Sequence, residues 1–146
     1  MVFIDLAIRV KGYLGDITRA GIVGRGTVEQ RLLLDSVKMA YAIGYSHMSS
    51  GSNGDTIYKE VLQCFAQHGW DDYFLHHLSH GLGLGGDIPK ISQDRSDTLK
   101  VGDALSCEPG LYIPGIGGAR VENMIYVGNE ITEELTQCPL DLPMNF

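Results

Sequence analysis

Val2-Phe3-Ile4-Asp5-Leu6-Ala7-Ile8-Arg9-Val10, then Lys11-Gly12, then Tyr13-Leu14-Gly15-Asp16-Ile17-Thr18-Arg19-Ala20-Gly21-Ile22-Val23 opens the chain. Residues 2 to 10 alternate: Val2, Ile4, Leu6, Ile8 and Val10 point one way, and Phe3, Asp5, Ala7 and Arg9 the other, which reads as a strand with one face toward a core. Tyr13 to Val23 is again rich in strand-forming residues, so Lys11-Gly12 is the turn of a hairpin. Paired positions of a hairpin with a two-residue turn have an odd sum. Asp5 and Asp16 therefore share the non-core face as diagonal neighbours, about 7 to 8 Å apart. Two carboxylates that close repel unless a cation lies between them, which points to a metal.

Beyond Gly24 to Gly26 the pattern changes. Thr27-x-x-Gln30 forms a capping box, and Leu33, Val37, Ala40, Tyr41, Gly44 and Met48 recur at helical spacing. The run Ser49 to Gly54 ends this helix. A second, with Asp55 as N-cap, carries Ile57, Val61, Leu62 and Phe65 and runs out at His68-Gly69. After Trp70 short extended pieces are expected at 74 to 84, 104 to 113, 119 to 128 and 132 to 137. Strands, a helical hairpin and strands again make an α+β fold, mainly antiparallel, with helices on one face.

The 146 residues make one domain of ordinary composition, 44% hydrophobic and 20% charged, which excludes a disordered or low-complexity chain. Eleven Lys+Arg against 18 Asp+Glu give a net charge of -7, the wrong sign for binding nucleic acid by phosphate neutralisation. No membrane span or leader is visible, and Cys64, Cys107 and Cys138 lack metal or disulfide spacing, so a cytoplasmic protein with reduced thiols is expected. Much of the excess among the 19 glycines lies in Gly81 to Gly86 and Gly110 to Gly118, where the backbone should approach other groups closely.

In His76-His77-Leu78-Ser79-His80-Gly81-Leu82-Gly83, His76 and His80 fall on one face of an extended segment, and His77 falls on the other as a structural residue. Glu108 and Glu122 lie on successive strands whose midpoint is Gly115, so a hairpin-like return brings the two carboxylates together. Imidazole beside carboxylates is the vocabulary of a transition-metal site.

This order and spacing resembles the pita-bread metallohydrolases, the family of methionine aminopeptidase, aminopeptidase P, prolidase and creatinase. Asp5, Asp16-Ile17-Thr18-Arg19, Ser79-His80-Gly81-Leu82-Gly83, Glu108-Pro109-Gly110-Leu111-Tyr112 and Arg120-Val121-Glu122 carry the resemblance, closest to the Xaa-Pro peptidase branch. It implies two divalent ions, manganese, cobalt, zinc or iron, with Asp5 on one, His80 and Glu108 on the other, and Asp16 and Glu122 bridging. Ions about 3.5 to 4 Å apart would activate a water and polarise a scissile carbonyl. The resemblance gives Glu108 and His76 catalytic roles, Glu108 as proton shuttle, and counts His76, Asp87 and Arg120 as substrate-binding residues.

Two departures stand out. Asp87 occupies the position of a substrate-contacting histidine, and the spacing from His80 to Pro89 is one residue shorter than in the peptidases. Asn123 stands where prolidase-type members often carry aspartate. The expected reaction is removal of an N-terminal residue from short Xaa-Pro peptides. The alternatives are a pita-bread hydrolase or lyase acting on a small molecule, and an inactive module acting by association. The resemblance makes residues 1 to 146 the C-terminal part of a catalytic domain, so a homodimer or a partner supplying the missing half is expected.

Overall fold

A computed structural model describes residues 1–142. Strands β1 (Val2–Val10) and β2 (Tyr13–Gly21) form the expected hairpin, in register from Val10 opposite Tyr13 to Val2 opposite Gly21. Helix α1 (Val28–His47) starts at the Thr27 capping box: the Gln30 amide donates to Thr27 Oγ1 at 3.2 Å, and the Thr27 amide donates to Gln30 Oε1 at 3.0 Å. Helix α2 (Gly54–Ala66) is capped by Asn53 rather than Asp55, the Asn53 side chain accepting from the Asp55 amide. Asp55 instead occupies the first turn, where its charge favours the positive end of the helix.

A single 3-10 turn (Asp71–Tyr73) leads to the second group of strands: β3 (Ala104–Cys107), β4 (Gly110–Ile113), β5 (Gly117–Arg120), β6 (Asn123–Val127) and β7 (Thr132–Glu134). β3, β6 and β7 make one antiparallel sheet and β4 with β5 a two-stranded ladder centred on Gly115. The extended pieces expected at 104 to 113 and 119 to 128 are thus each broken, and the breaks fall at Glu108-Pro109 and Val121-Glu122. Proline cannot donate to a ladder, which accounts for the first interruption.

Helix α1 packs on α2 and also on β3, β4 and β5, and Leu33, Val37, Ile57, Val61 and Phe65 of the helices share one buried cluster with Leu105, Leu111, Ala119 and Ile125 of β3 to β6. These residues are essentially inaccessible and form one contiguous core. No helix among the described residues is long and apolar enough to cross a membrane.

Two expectations need correction. The apolar face of β1 does not enter the core: exposure rises from 40% at Val2 through 51% at Leu6 to 65% at Val10. The core is packed against the end of β2, where Thr18 to Gly21 are buried, and the hairpin projects beyond it; among the described residues nothing pairs with the outer edge of β1. Nor is 74 to 84 a continuous strand. The chain bends at His76 and Leu78 and makes only isolated bridges, Ser79 to Ile91, Gly81 to Leu105 and Gly83 to Leu14.

Candidate metal centre

The hairpin register sets Asp5 opposite Thr18 and Asp16 opposite Ala7, so the two aspartates are diagonal neighbours on one face as the sequence requires. Glu122 reaches this face because its amide donates to Thr18 O at 2.9 Å, docking the break between β5 and β6 onto β2. His80 is fixed from the other side by a reciprocal pair. Its amide donates to Ser106 Oγ and the Ser106 amide donates to His80 O, both at 2.9 Å. Gly81 beside it admits no side chain, since a Cβ there would lie 2.0 Å from the Ile88 carbonyl oxygen. The Glu108 amide donates to Leu78 O at 2.9 Å and brings the second glutamate under the histidines.

Two overlapping groups of ligand atoms result, each within 4.8 Å: Asp16, His80 and Glu122, and His77, His80 and Glu108. His80 Nδ1 lies 3.0 Å from Gly81 O and can only donate to it, which leaves Nε2 as the free lone pair. That nitrogen sits 3.3 Å from Glu108 Oε1 and 3.9 Å from Asp16 Oδ2.

Burial and mutual repulsion govern the carboxylates. Burial pushes the Glu122 carboxyl up to about 8, with the negative charges of Glu108, Asp16 and Asp5 adding to it and the Thr18 hydroxyl, donating at 2.7 Å, opposing it. Asp16 is raised for the same reasons, burial first and then Asp5. Glu108 is also desolvated by burial, but the hydrogen bond and charge of His77, with His80 and the Ser106 hydroxyl, outweigh burial and hold it below its ordinary range. One oxygen of Glu122, Oε1, is buried without a hydrogen-bond partner among the described residues. An orphaned carboxylate oxygen beside a free imidazole nitrogen and two further carboxylates suits a divalent cation.

Arg120 binds the parts together. It pairs with the Asp5 carboxylate, donates to Thr18 Oγ1 at 3.3 Å and to the Tyr112 hydroxyl at 3.1 Å, and lies 3.9 Å from Glu108 Oε2. The Tyr112 hydroxyl in turn lies 3.0 Å from His76 Nε2, and His76 Nδ1 is 2.7 Å from His77 O. A carbonyl can only accept, so Nδ1 carries the proton and Tyr112 donates to Nε2. Burial lowers the His76 pKa, in keeping with a neutral ring.

Of the residues singled out in the sequence, Asp16, His80, Glu108 and Glu122 converge, and His76 and Arg120 border them. Asp5 joins neither ligand group; its carboxylate is turned to Arg120. Asp87 is exposed in the glycine-flanked loop and takes part in none of these contacts. His77 is a correction: its Nε2 lies 3.1 Å from Glu108 Oε1, because the bends at His76 and Leu78 cancel the strand alternation that assigned it to the opposite face.

Thr18, Arg19 and Tyr112 lie within the stretches that carry the resemblance but were given no role in the site, and Ser106 was not singled out at all. Thr18 and Tyr112 were signalled by period two, lying two residues from Asp16 and four from Glu108 on extended chain. Arg19 carries no such signal. Its buried guanidinium donates to Glu122 O at 2.6 Å, Asn123 Oδ1 at 2.6 Å, Pro139 O at 2.7 Å and Cys138 O at 3.0 Å.

An imidazole and convergent carboxylates, on an antiparallel α+β scaffold with a buried oxygen unpaired among the described residues, make a donor set that suits a divalent cation. Residues 1–129 match metallopeptidase family M24, and the chain belongs to that family. It is 34% identical to the Xaa-Pro dipeptidase of Pyrococcus furiosus, covering 97% of this chain and 41% of that protein. A crystal structure of a dipeptidase from Pyrococcus horikoshii OT3 superposes with a TM-score of 0.89 at 31% identity, over 96% of this chain and 40% of that one. The Xaa-Pro dipeptidase of Bacillus anthracis gives 0.88 at 34% identity, over 96% and 40%. The fold is thus that of the pita-bread prolidases, and the chain spans about two fifths of the length of these relatives.

Proposed function

We propose that this chain carries the dinuclear metal centre of a hydrolase that removes the N-terminal residue from short Xaa-Pro peptides. In this reading Asp5, Asp16, His80, Glu108 and Glu122 would hold the ions. The observation that carries it is the orphaned Glu122 Oε1, buried beside Asp16 and His80. Membership of a metallopeptidase family and likeness to proteins named as Xaa-Pro dipeptidases support the substrate class.

Two divalent cations would supply Lewis acidity to the scissile carbonyl and lower the pKa of the attacking water. The chain's own residues do the rest. Glu108, held ionised by its imidazole and hydroxyl partners, accepts the proton of the attacking water and delivers it to the leaving amine. His76, neutral and oriented by Tyr112 and the His77 carbonyl, borders a cleft of about 680 Å³ with Phe74, His77 and Lys90, where its ring would lie against the bound peptide and Tyr112 would have to give up its hydrogen bond for His76 to bond the peptide directly. Arg120 offsets negative charge and holds Asp5 and Tyr112 in place; Asp87 lies outside this machinery.

Manganese, cobalt, zinc or iron all suit the donors. The test is to load the protein with manganese, remove free ion, and count bound metal beside hydrolysis of an Xaa-Pro dipeptide, with Asp16→Ala in parallel. About two ions per chain and turnover, both lost in the variant, are expected; turnover with none of these metals would overturn the peptidase reading. Three free cysteines, two of them buried, fit a reducing cytoplasm.

Association is a second part of the proposal. Leu6, Ile8 and Val10 line an apolar groove of about 410 Å³ with Tyr13, Leu14 and Met124, beside a nine-residue strand whose outer edge is unpaired among the described residues. A second copy of the chain, pairing β1 against β1 in antiparallel fashion, covers both the edge and the groove. Sedimentation should give a dimer that Leu6→Lys dissociates; a monomer at all concentrations would sink this part.

A further inference from the structure

Within this centre the geometry points to His77 as an additional metal ligand: we propose that His77, His80 and Glu108 form a zinc-selective pocket of two imidazoles and one carboxylate. The inference rests on the metal reading above, but concerns a residue outside the five-ligand set.

His77 Nε2 lies 3.1 Å from Glu108 Oε1, and His80 Nε2 lies 3.3 Å from the same oxygen. Ligands held 2.0 to 2.1 Å from a tetrahedral ion are separated by about 3.3 to 3.4 Å, so these two spacings are close to edges of such a tetrahedron. The third pair, the His77 and His80 nitrogens, lies within 4.8 Å, so a small movement of the more exposed His77 ring would complete the tetrahedral face. The imidazoles stand 5.3 Å apart with planes at 87°, and so approach the carboxylate from different directions rather than stacking side by side.

The supports are already in place. Ser106 Oγ donates to Glu108 Oε1 at 2.9 Å and His80 Nδ1 is tied to Gly81 O. Both fix ligand orientation before any ion arrives. His77 itself is about one-third exposed and lines the 680 Å³ cleft, so solvent reaches the pocket from that side. Imidazole suits zinc and carboxylate suits manganese, so one carboxylate with two imidazoles, the donor set of several zinc hydrolases, shifts preference toward zinc.

The alternative role for His77 is a hydrogen-bond donor that merely positions Glu108. His77→Gln separates the two, because a glutamine amide keeps an N–H donor and loses the imidazole. Zinc and manganese affinities of the 146-residue protein, measured by competition with a chromophoric chelator, are expected to diverge. Removing an outer-shell partner costs 10- to 100-fold, so loss of a ligand should weaken zinc by at least about 100-fold while leaving manganese within a few-fold. The visible absorption of the cobalt-loaded protein should change in position and intensity in His77→Gln and His77→Ala alike.

Unchanged zinc affinity and cobalt spectrum in His77→Gln would overturn the proposal, and so would a loss seen in His77→Ala but not in His77→Gln. Failure of the dinuclear reading is recognised separately. It appears as a manganese count that does not fall in Asp16→Ala, whatever His77 does.

Discussion

Gly110 stands directly opposite Arg120 in the ladder of β4 and β5, and the side chain it lacks leaves the space in which the Tyr112 hydroxyl meets His76. A Cβ at this position would lie 2.8 Å from the Tyr112 hydroxyl oxygen, 2.9 Å from His76 Nε2 and 3.1 Å from Ala119 O. Gly110→Ala should therefore push the tyrosine and imidazole apart at a cost of about 1 to 3 kcal/mol, the usual range for overpacking. Urea denaturation gives the cost, and the His76 imidazole resonances report the broken contact. A variant with wild-type stability and unshifted resonances would show that the space is not needed.

The pH dependence of the metal-free protein follows from Glu122. Its carboxyl, raised from an ordinary 4.5 to about 8, stays protonated in the folded state over a range where the unfolded chain has lost the proton. Between those values the folded state binds more protons, so this contribution to stability is full below about 4.5 and is lost as pH rises through about 8. Glu122→Gln, which keeps the shape without the titration, should flatten the slope of stability against pH across this window. An identical slope in the two proteins would remove Glu122 as its source.

Cation uptake must displace the same proton. Near pH 7 metal binding should release protons, measurable as a dependence of the calorimetric heat on the ionisation enthalpy of the buffer. Apparent affinity should rise between pH 6 and 8, less steeply in Glu122→Gln.

Thr18 touches no ion in the proposed arrangement yet serves both Glu122 and Arg120. Thr18→Val removes the hydroxyl while keeping the shape, leaving Glu122 Oε2 without its donor. Manganese affinity should drop about 10- to 100-fold with the fold intact. Unaltered affinity, by the same chelator competition, would show that the hydroxyl does not hold Glu122.

Leu33 tests the scaffold alone. It is fully buried in the core, and Leu33→Ala should cost about 2 to 5 kcal/mol through lost burial and a residual cavity. Bound metal per folded chain should not change. Loss of the cap in Thr27→Ala should cost about 1 kcal/mol.

The hairpin register, the capping box and the return of the chain about Gly115 were legible because each depends on local rules: period two, helix-end chemistry and turn position. The same rules misassigned His77. Alternation holds only where the chain is straight, and the bends at His76 and Leu78 lead into tertiary bridges, Ser79 to Ile91 and Gly81 to Leu105, that no local pattern announces. The exposed face of β1 was misread for a related reason, since alternation tells which residues share a face but not whether anything covers it. Asp5 was placed on the correct side of the hairpin, while its pairing with Arg120 joins positions far apart in sequence and is invisible from either.

Arg19 gives the tail of the chain an unexpected standing. Its guanidinium clasps the carbonyl of Glu122 together with those of Cys138 and Pro139. The segment after β7 is thereby a splint for the most deeply buried carboxylate of the centre, although it contributes no donor of its own. A change of conformation at Cys138 or Pro139 would pass through one side chain to the aim of Glu122, so the region that governs the centre extends well past its last ligand.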